Sequence, residues 1–221
     1  MKQPITLIIL LSFLITGCQI SNEIKTTDPE KVDPKELPKV RAFKDEFTRG
    51  FLQSIKETRE GYYLFRSNTN HYTMDFPSGG VIGEMGYSIQ KGSESFLVGV
   101  EGKNTDSEIS IKYLEFMKKE LRESRIETLI KNSKSPLNFE TRELDDRTIS
   151  TAYFETDKGY YGYVALVQNT KRYGAVEVTY TSECKVDLSN CEEVIKSKKN
   201  SFTNWIESIH FINQETHETS N

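Results

Sequence analysis

The 221-residue chain predicts an α+β fold, an antiparallel β-sheet packed with about three helices in an α/β/α sandwich. Three observations support it. Short runs rich in β-branched and aromatic residues recur through the chain. In the run Ala175 to Thr181, Val176, Val178 and Tyr180 alternate with Glu177, Thr179 and Thr181, the pattern of a strand with one apolar face. Elsewhere apolar residues fall three or four apart, as helices require. With its apolar start and polar stretches set aside, the remainder suits a single domain over 41–213.

The chain begins with one charge at Lys2, an apolar run from Ile5 to Ile15, and small residues at Thr16 and Gly17 before Cys18. This is the order of a secretory signal peptide, and the run is shorter than the roughly 20 residues of a membrane-spanning helix. Leu14-Ile15-Thr16-Gly17-Cys18 resembles the bacterial lipobox. The resemblance implies cleavage after residue 17 and a diacylglyceryl group on Cys18. Membrane lipid is then a partner through Cys18, with the domain on the extracytoplasmic side. Two acyl chains suffice for stable anchoring, at about 0.8 kcal/mol per buried methylene.

Loss of Lys2 takes the formal net charge from −4 to about −5. Such a balance argues against nucleic acid as a partner, because phosphate binding needs a concentrated basic surface. With Cys18 lipidated, Cys184 and Cys191 form an even pair in an exported setting, and a disulfide between them is expected. The spacing is not Cys-x-x-Cys and no histidine lies nearby, which disfavours a redox or metal pair.

From 18 to 40 the sequence is polar and holds Pro29, Pro34 and Pro38, and it reads as a flexible tether. Phe43, Phe47, Phe51 and Ile55 then predict a helix over about 39–58. Tyr62 to Arg66 and His71 to Phe76, separated by Ser67-Asn68-Thr69-Asn70, predict a hairpin. Pro77-Ser78-Gly79-Gly80 closes it, and the glycine-rich run through Gly83 to Gly86 reads as a mobile loop able to cover a partner. Strands follow at about 86–90 and 95–101.

A second helix is expected over about 106–131, from Ile111, Leu114, Met117, Leu121 and Leu129, with Thr105 and Glu108 as a capping box. After Pro136 come four strands, at about 139–143, 148–155, 160–168 and 175–181, the middle two joined by Asp157-Lys158-Gly159. A last helix is expected over about 189–209, with Ile195, Phe202, Trp205 and Ile209 on one side and a Ser189/Glu192 capping box. Residues 214–221 read as a loose tail.

Catalytic patterns are scarce. The histidines are His71, His210 and His217, and neither a Gly-x-Ser-x-Gly elbow nor a His-Glu-x-x-His pattern occurs. Glu207 and His210 form a single Glu-x-x-His at a helix end, where carboxylate-bridged metal sites need two, so a surface polar pair is expected. The glycine run lacks the Gly-Lys-Ser/Thr ending of a phosphate loop. No metal, cofactor or enzymatic role is expected. Tyr153, Tyr160, Tyr161, Tyr163, Tyr173 and Tyr180 suit strand packing first and an interface second.

Tyr72-Thr73-Met74-Asp75-Phe76-Pro77-Ser78-Gly79 is an alternating strand closed by Pro-x-Gly. With the order of elements around it, it resembles the PsbP-like sandwich proteins, which include an extrinsic photosystem II subunit, a Ran-binding import factor and bacterial lipoproteins. The resemblance implies a non-enzymatic accessory or docking domain. The expected function is a membrane-anchored binding or assembly module that contacts another envelope protein. Its expected surfaces are the sheet face bearing Glu177 and Thr179 and the loop bearing Gly79, Gly80 and Gly83. The alternative is an enzyme acting on an envelope polymer or lipid through a pair of carboxylates.

Overall fold

The computed structural model describes residues 26–102, 105–156, 159–184 and 188–212. Cys18, the Asp157-Lys158 turn and the 213–221 tail lie outside them. So do the side chains of Cys184, Ser189, Cys191 and Glu192, and with them the expected disulfide and the second capping box.

Two antiparallel sheets make up most of the described fold. The smaller comprises β1 (Leu52–Arg59), β2 (Tyr62–Arg66), β3 (Tyr72–Pro77) and β12 (His210–Phe211), in the order β1-β2-β3-β12. The larger contains β4 (Gly80–Ile82), β5 (Ser88–Gln90), β6 (Ser93–Glu101), β7 (Thr105–Leu114), β8 (Glu140–Glu143), β9 (Arg147–Glu155), β10 (Tyr160–Asn169) and β11 (Ala175–Cys184). Its order is β4-β6-β7-β11-β10-β9-β8, with β5 also pairing with β6. The helices are two short turns, α1 (Arg41–Lys44) and α2 (Glu46–Arg49), then α3 (Arg122–Asn132) and α4 (Leu188–Glu207).

Side-chain alternation divides the large sheet into two packed faces. Phe96 and Val98 of β6, Ile109, Ile111 and Tyr113 of β7, and Val176 and Val178 of β11 point one way. They meet the small sheet and the apolar side of α4, where Phe202, Trp205 and Ile206 are buried. The opposite face carries Leu166 and Ala175, which pack beneath Met117 and Ile126 of the α3 region. One outer layer is therefore the small sheet with the 20-residue α4 beside it and the other is the 11-residue α3, so a second sheet takes much of a layer expected to be helical.

The expected helix over 39–58 is replaced by α1, α2 and β1. Asp45 ends α1 and caps α2, accepting the Thr48 amide at 2.8 Å, and Gly50 closes α2. The phenylalanine spacing still serves the core, since Phe43 and Phe51 are buried and Phe47 packs on Phe51 with ring centroids 5.3 Å apart. Across β1, Leu52 faces Phe65 of β2.

The helix expected over 106–131 is also corrected. Its first part is β7, paired along its length with β6 and β11. Ile109, Ile111 and Tyr113 alternate with Glu108, Ser110 and Lys112, and this period of two overrides the helical matches at Ile111 and Leu114. Thr105 opens a strand and caps no helix. Only 122–132 is α-helical, after a 3-10 turn at Lys119–Leu121.

The tether is shorter than expected. Val32 is buried, Leu37 and Val40 pack against the core, and the Ile55 amide donates to the Thr27 carbonyl at 2.8 Å. Residues 26–40 thus lie along the body of the domain.

Candidate binding groove

The positions expected to bind fall into different settings. Glu177 is 8% exposed and receives two hydrogen bonds from the Arg125 guanidinium of α3, one at 2.7 Å. It anchors α3 to the sheet and is not offered to a partner. Thr179, two residues on, remains exposed on the part of the face that α3 leaves open.

The glycine run is built into the fold and is not a mobile loop as far as Ile82, because β4 pairs with β6. A Cβ on Gly79 would lie 2.7 Å from the Glu101 carbonyl oxygen, and one on Gly80 would lie 2.9 Å from the Phe76 ring. These glycines permit close packing. Arg41 reinforces the turn, donating to the Gly79 carbonyl at 3.2 Å and pairing with Glu101 at 3.1 Å. Gly83 is exposed and leads into the 3-10 turn Glu84–Gly86, where Met85 stands fully in solvent.

Glu207 and His210 do not converge. The Glu207 carboxylate pairs with Arg142 at 2.5 Å, whereas His210 Nδ1 lies 3.2 Å from the Arg147 guanidinium and 4.0 Å from Asp146. Burial first, then the Arg147 charge, holds the His210 pKa below its ordinary value.

The largest concavity described lies elsewhere, where the large sheet extends beyond the layer that covers it. Strands β8 and β9 project past α4 and leave a groove of about 630 Å³. Tyr163 and Phe202 form its floor, stacked with centroids 4.4 Å apart and planes within 13°. Tyr153, opposite Tyr163 in the β9–β10 ladder, makes one wall and is 37% exposed. Lys199 and Thr203 of α4 make the other, and Glu140 and Arg142 of β8 close the rim.

Both groove tyrosines are neutral donors at physiological pH. Burial pushes the Tyr163 phenol up to about 12. The Tyr153 phenol is raised further, by burial and then by its hydrogen bond to Glu155. An aromatic floor with neutral hydroxyls and a rim of both charge signs suits a partner with apolar and polar groups. The groove joins residues about sixty positions apart, and only the tyrosine cluster signalled it in the sequence.

Residues 38–210 match the profile of the family described as "Putative lipoprotein YvcA". The chain belongs to this YvcA lipoprotein family. A YvcA relative from Bacillus subtilis (strain 168), bearing the same description, is 27% identical over 92% of this chain and 93% of its own length. The lipoprotein character read from the first eighteen residues agrees with the family. Among the described residues, no helix is long and apolar enough to cross a membrane.

Two solved structures are similar at a looser level. The Saccharomyces cerevisiae Ran-binding protein Mog1p aligns with a TM-score of 0.44 and 10% identity, over 69% of this chain and 96% of that one. Cyanobacterial PsbP from Synechocystis sp. PCC 6803 aligns with a TM-score of 0.44 and 14% identity, over 70% and 94%. Neither likeness bears on the function of the YvcA family chain.

Proposed function

We propose that this lipoprotein is a non-enzymatic binding module, anchored through Cys18 on the extracytoplasmic side of the membrane, that holds a segment of another envelope protein in the groove beside α4. The observation that carries this reading is the groove itself, about 630 Å³ with a stacked Tyr163/Phe202 floor and a charged rim. Its volume falls in the range of binding clefts, and aromatic anchors dominate protein recognition. On the rim, Arg142 is held toward α4 by its ion pair with Glu207 at 2.5 Å.

The test is in-cell crosslinking of the anchored chain, with mass spectrometry of the captured proteins, in the native sequence and in Thr203→Arg. Thr203 is half-buried on the groove wall, so an arginine there fills the groove. The expected result is one envelope protein captured reproducibly by the native chain and lost at least tenfold in Thr203→Arg, with thermal unfolding unchanged. Equal capture by both would refute the groove reading.

A further inference from the structure

We infer that one end of the large sheet is a membrane-docking tip that rests on anionic lipid headgroups, so that the lipoprotein lies against the bilayer in a fixed orientation. The inference rests on the lipid anchor at Cys18 but not on the groove. Three loops meet at this end: the β5–β6 turn at Lys91-Gly92, the segment 115–121 after β7, and the β10–β11 turn at 170–174. The Glu115 amide donates to the Gly92 carbonyl at 2.8 Å, and the Gly174 amide donates to the Met117 carbonyl at 2.8 Å. Asn169 Oδ1 accepts the amides of Lys171 and Arg172 at 2.9 and 3.0 Å, which holds the last turn in shape.

Large apolar groups stand out from these loops. Phe116 is 59% exposed, Tyr173 62% and Leu121 47%. Around them lie the exposed cations Lys91, Lys118, Lys119, Lys171 and Arg172, and the Lys118 ammonium sits 5.3 Å from the centre of the Tyr173 ring. The acids on the same loops are Glu115 and Glu120, and the neighbouring β8–β9 turn, whose Asp146 carbonyl accepts the Thr170 amide at 3.1 Å, adds Asp145 and Asp146, the latter paired with Arg147 at 2.5 Å. Five cations against two acids on these three loops, in a chain whose formal net charge is −4, is a local concentration of positive charge. Lysines beside an exposed phenylalanine and tyrosine match the boundary layer of a bilayer, where aromatic rings sit at headgroup depth and cations meet lipid phosphates.

The course of the chain agrees with this orientation. Thr26 lies beside Leu52 and Gln53 at the start of β1, and Leu52 faces Phe65 near the hairpin turn 67–70. The Asn68 amide in that turn donates to Glu94, next to the β5–β6 turn. The described chain therefore begins at the same end of the molecule as the tip. Eight peptide links separate Cys18 from Thr26. They span at most about 28 Å, which keeps that end close to the bilayer.

The test uses the mature chain from residue 18 with Cys18→Ser, so that no acyl chain contributes, sedimented at low salt with vesicles of phosphatidylglycerol or of phosphatidylcholine. Binding to phosphatidylglycerol alone is expected, weakened by added salt. Lys118→Gln combined with Lys171→Gln should lower it about thirtyfold at an unchanged urea midpoint. Phe116→Ser with Tyr173→Ser should also weaken it. Absence of binding to phosphatidylglycerol, equal binding to both lipids, or binding unaffected by the lysine changes would overturn the proposal. Flotation of the lipidated native chain with phosphatidylcholine vesicles tests the anchor separately, because the tip alone does not hold the unlipidated chain on a neutral surface.

Discussion

At Gly79 and Gly80 the lack of a side chain is a packing requirement, since the nearest atoms belong to the Glu101 backbone and the Phe76 ring. Gly79→Ala is expected to destabilise the domain by about 1–3 kcal/mol, read from urea denaturation. His210 adds a pH dependence. The fold favours its neutral form, because burial and then Arg147 outweigh the opposing pull of Asp146 and Asp75. Its contribution to stability is complete above the ordinary value of 6.5 and is lost as pH falls through the lowered folded value. Unfolding midpoints measured from pH 8 downward should therefore show a decline below about pH 6.5 that His210→Gln removes. An unchanged decline in that variant would assign the effect to other groups.

Helix α3 is tied to the sheet beneath it by the Arg125–Glu177 pair and by the packing of Ile126 on Leu166 and Ala175. Glu177→Ala leaves the guanidinium without its carboxylate, and a loss of about 2 kcal/mol is expected. Amide exchange should rise within Arg122–Asn132 while β10 stays protected. The reverse pattern would show that the pair does not hold the helix. The strands were largely legible in the sequence, because a period of two and turn residues are local signals: the β2–β3 hairpin, β6, and β8 to β11 lie close to where alternation places them. The 39–58 and 106–131 stretches were misread because aromatic and aliphatic residues at four-residue spacing fit a helix as well as a strand with bends. Pairing partners far along the chain decided between the two. Glu177 looked solvent-facing because nothing local shows that α3, with Arg125 52 residues earlier in the chain, covers it. The groove was illegible for a similar reason, since it exists only where α4 stops short of β8.

In the assembled molecule the two outer layers leave different parts of the large sheet uncovered, the groove at the β8 side and the tip at the ends of β6, β7 and β11. The tip would set orientation and the groove would bind, so each can be altered without the other. The leash connects them. Because 26–40 lies along the body, a flexible twenty-residue Gly/Ser insertion between Cys18 and Thr26 should leave folding and thermal stability unchanged but reduce in-cell capture several-fold, as the accessible volume grows. Unchanged capture would show that reach is not limiting. A protein confined to a shell a few tens of ångströms deep searches in two dimensions. A partner resident on the same membrane would meet it by lateral diffusion, at an effective concentration set by membrane area instead of compartment volume. A soluble ligand gains nothing from such confinement, so selection on the leash would favour partners that are themselves resident on the same bilayer.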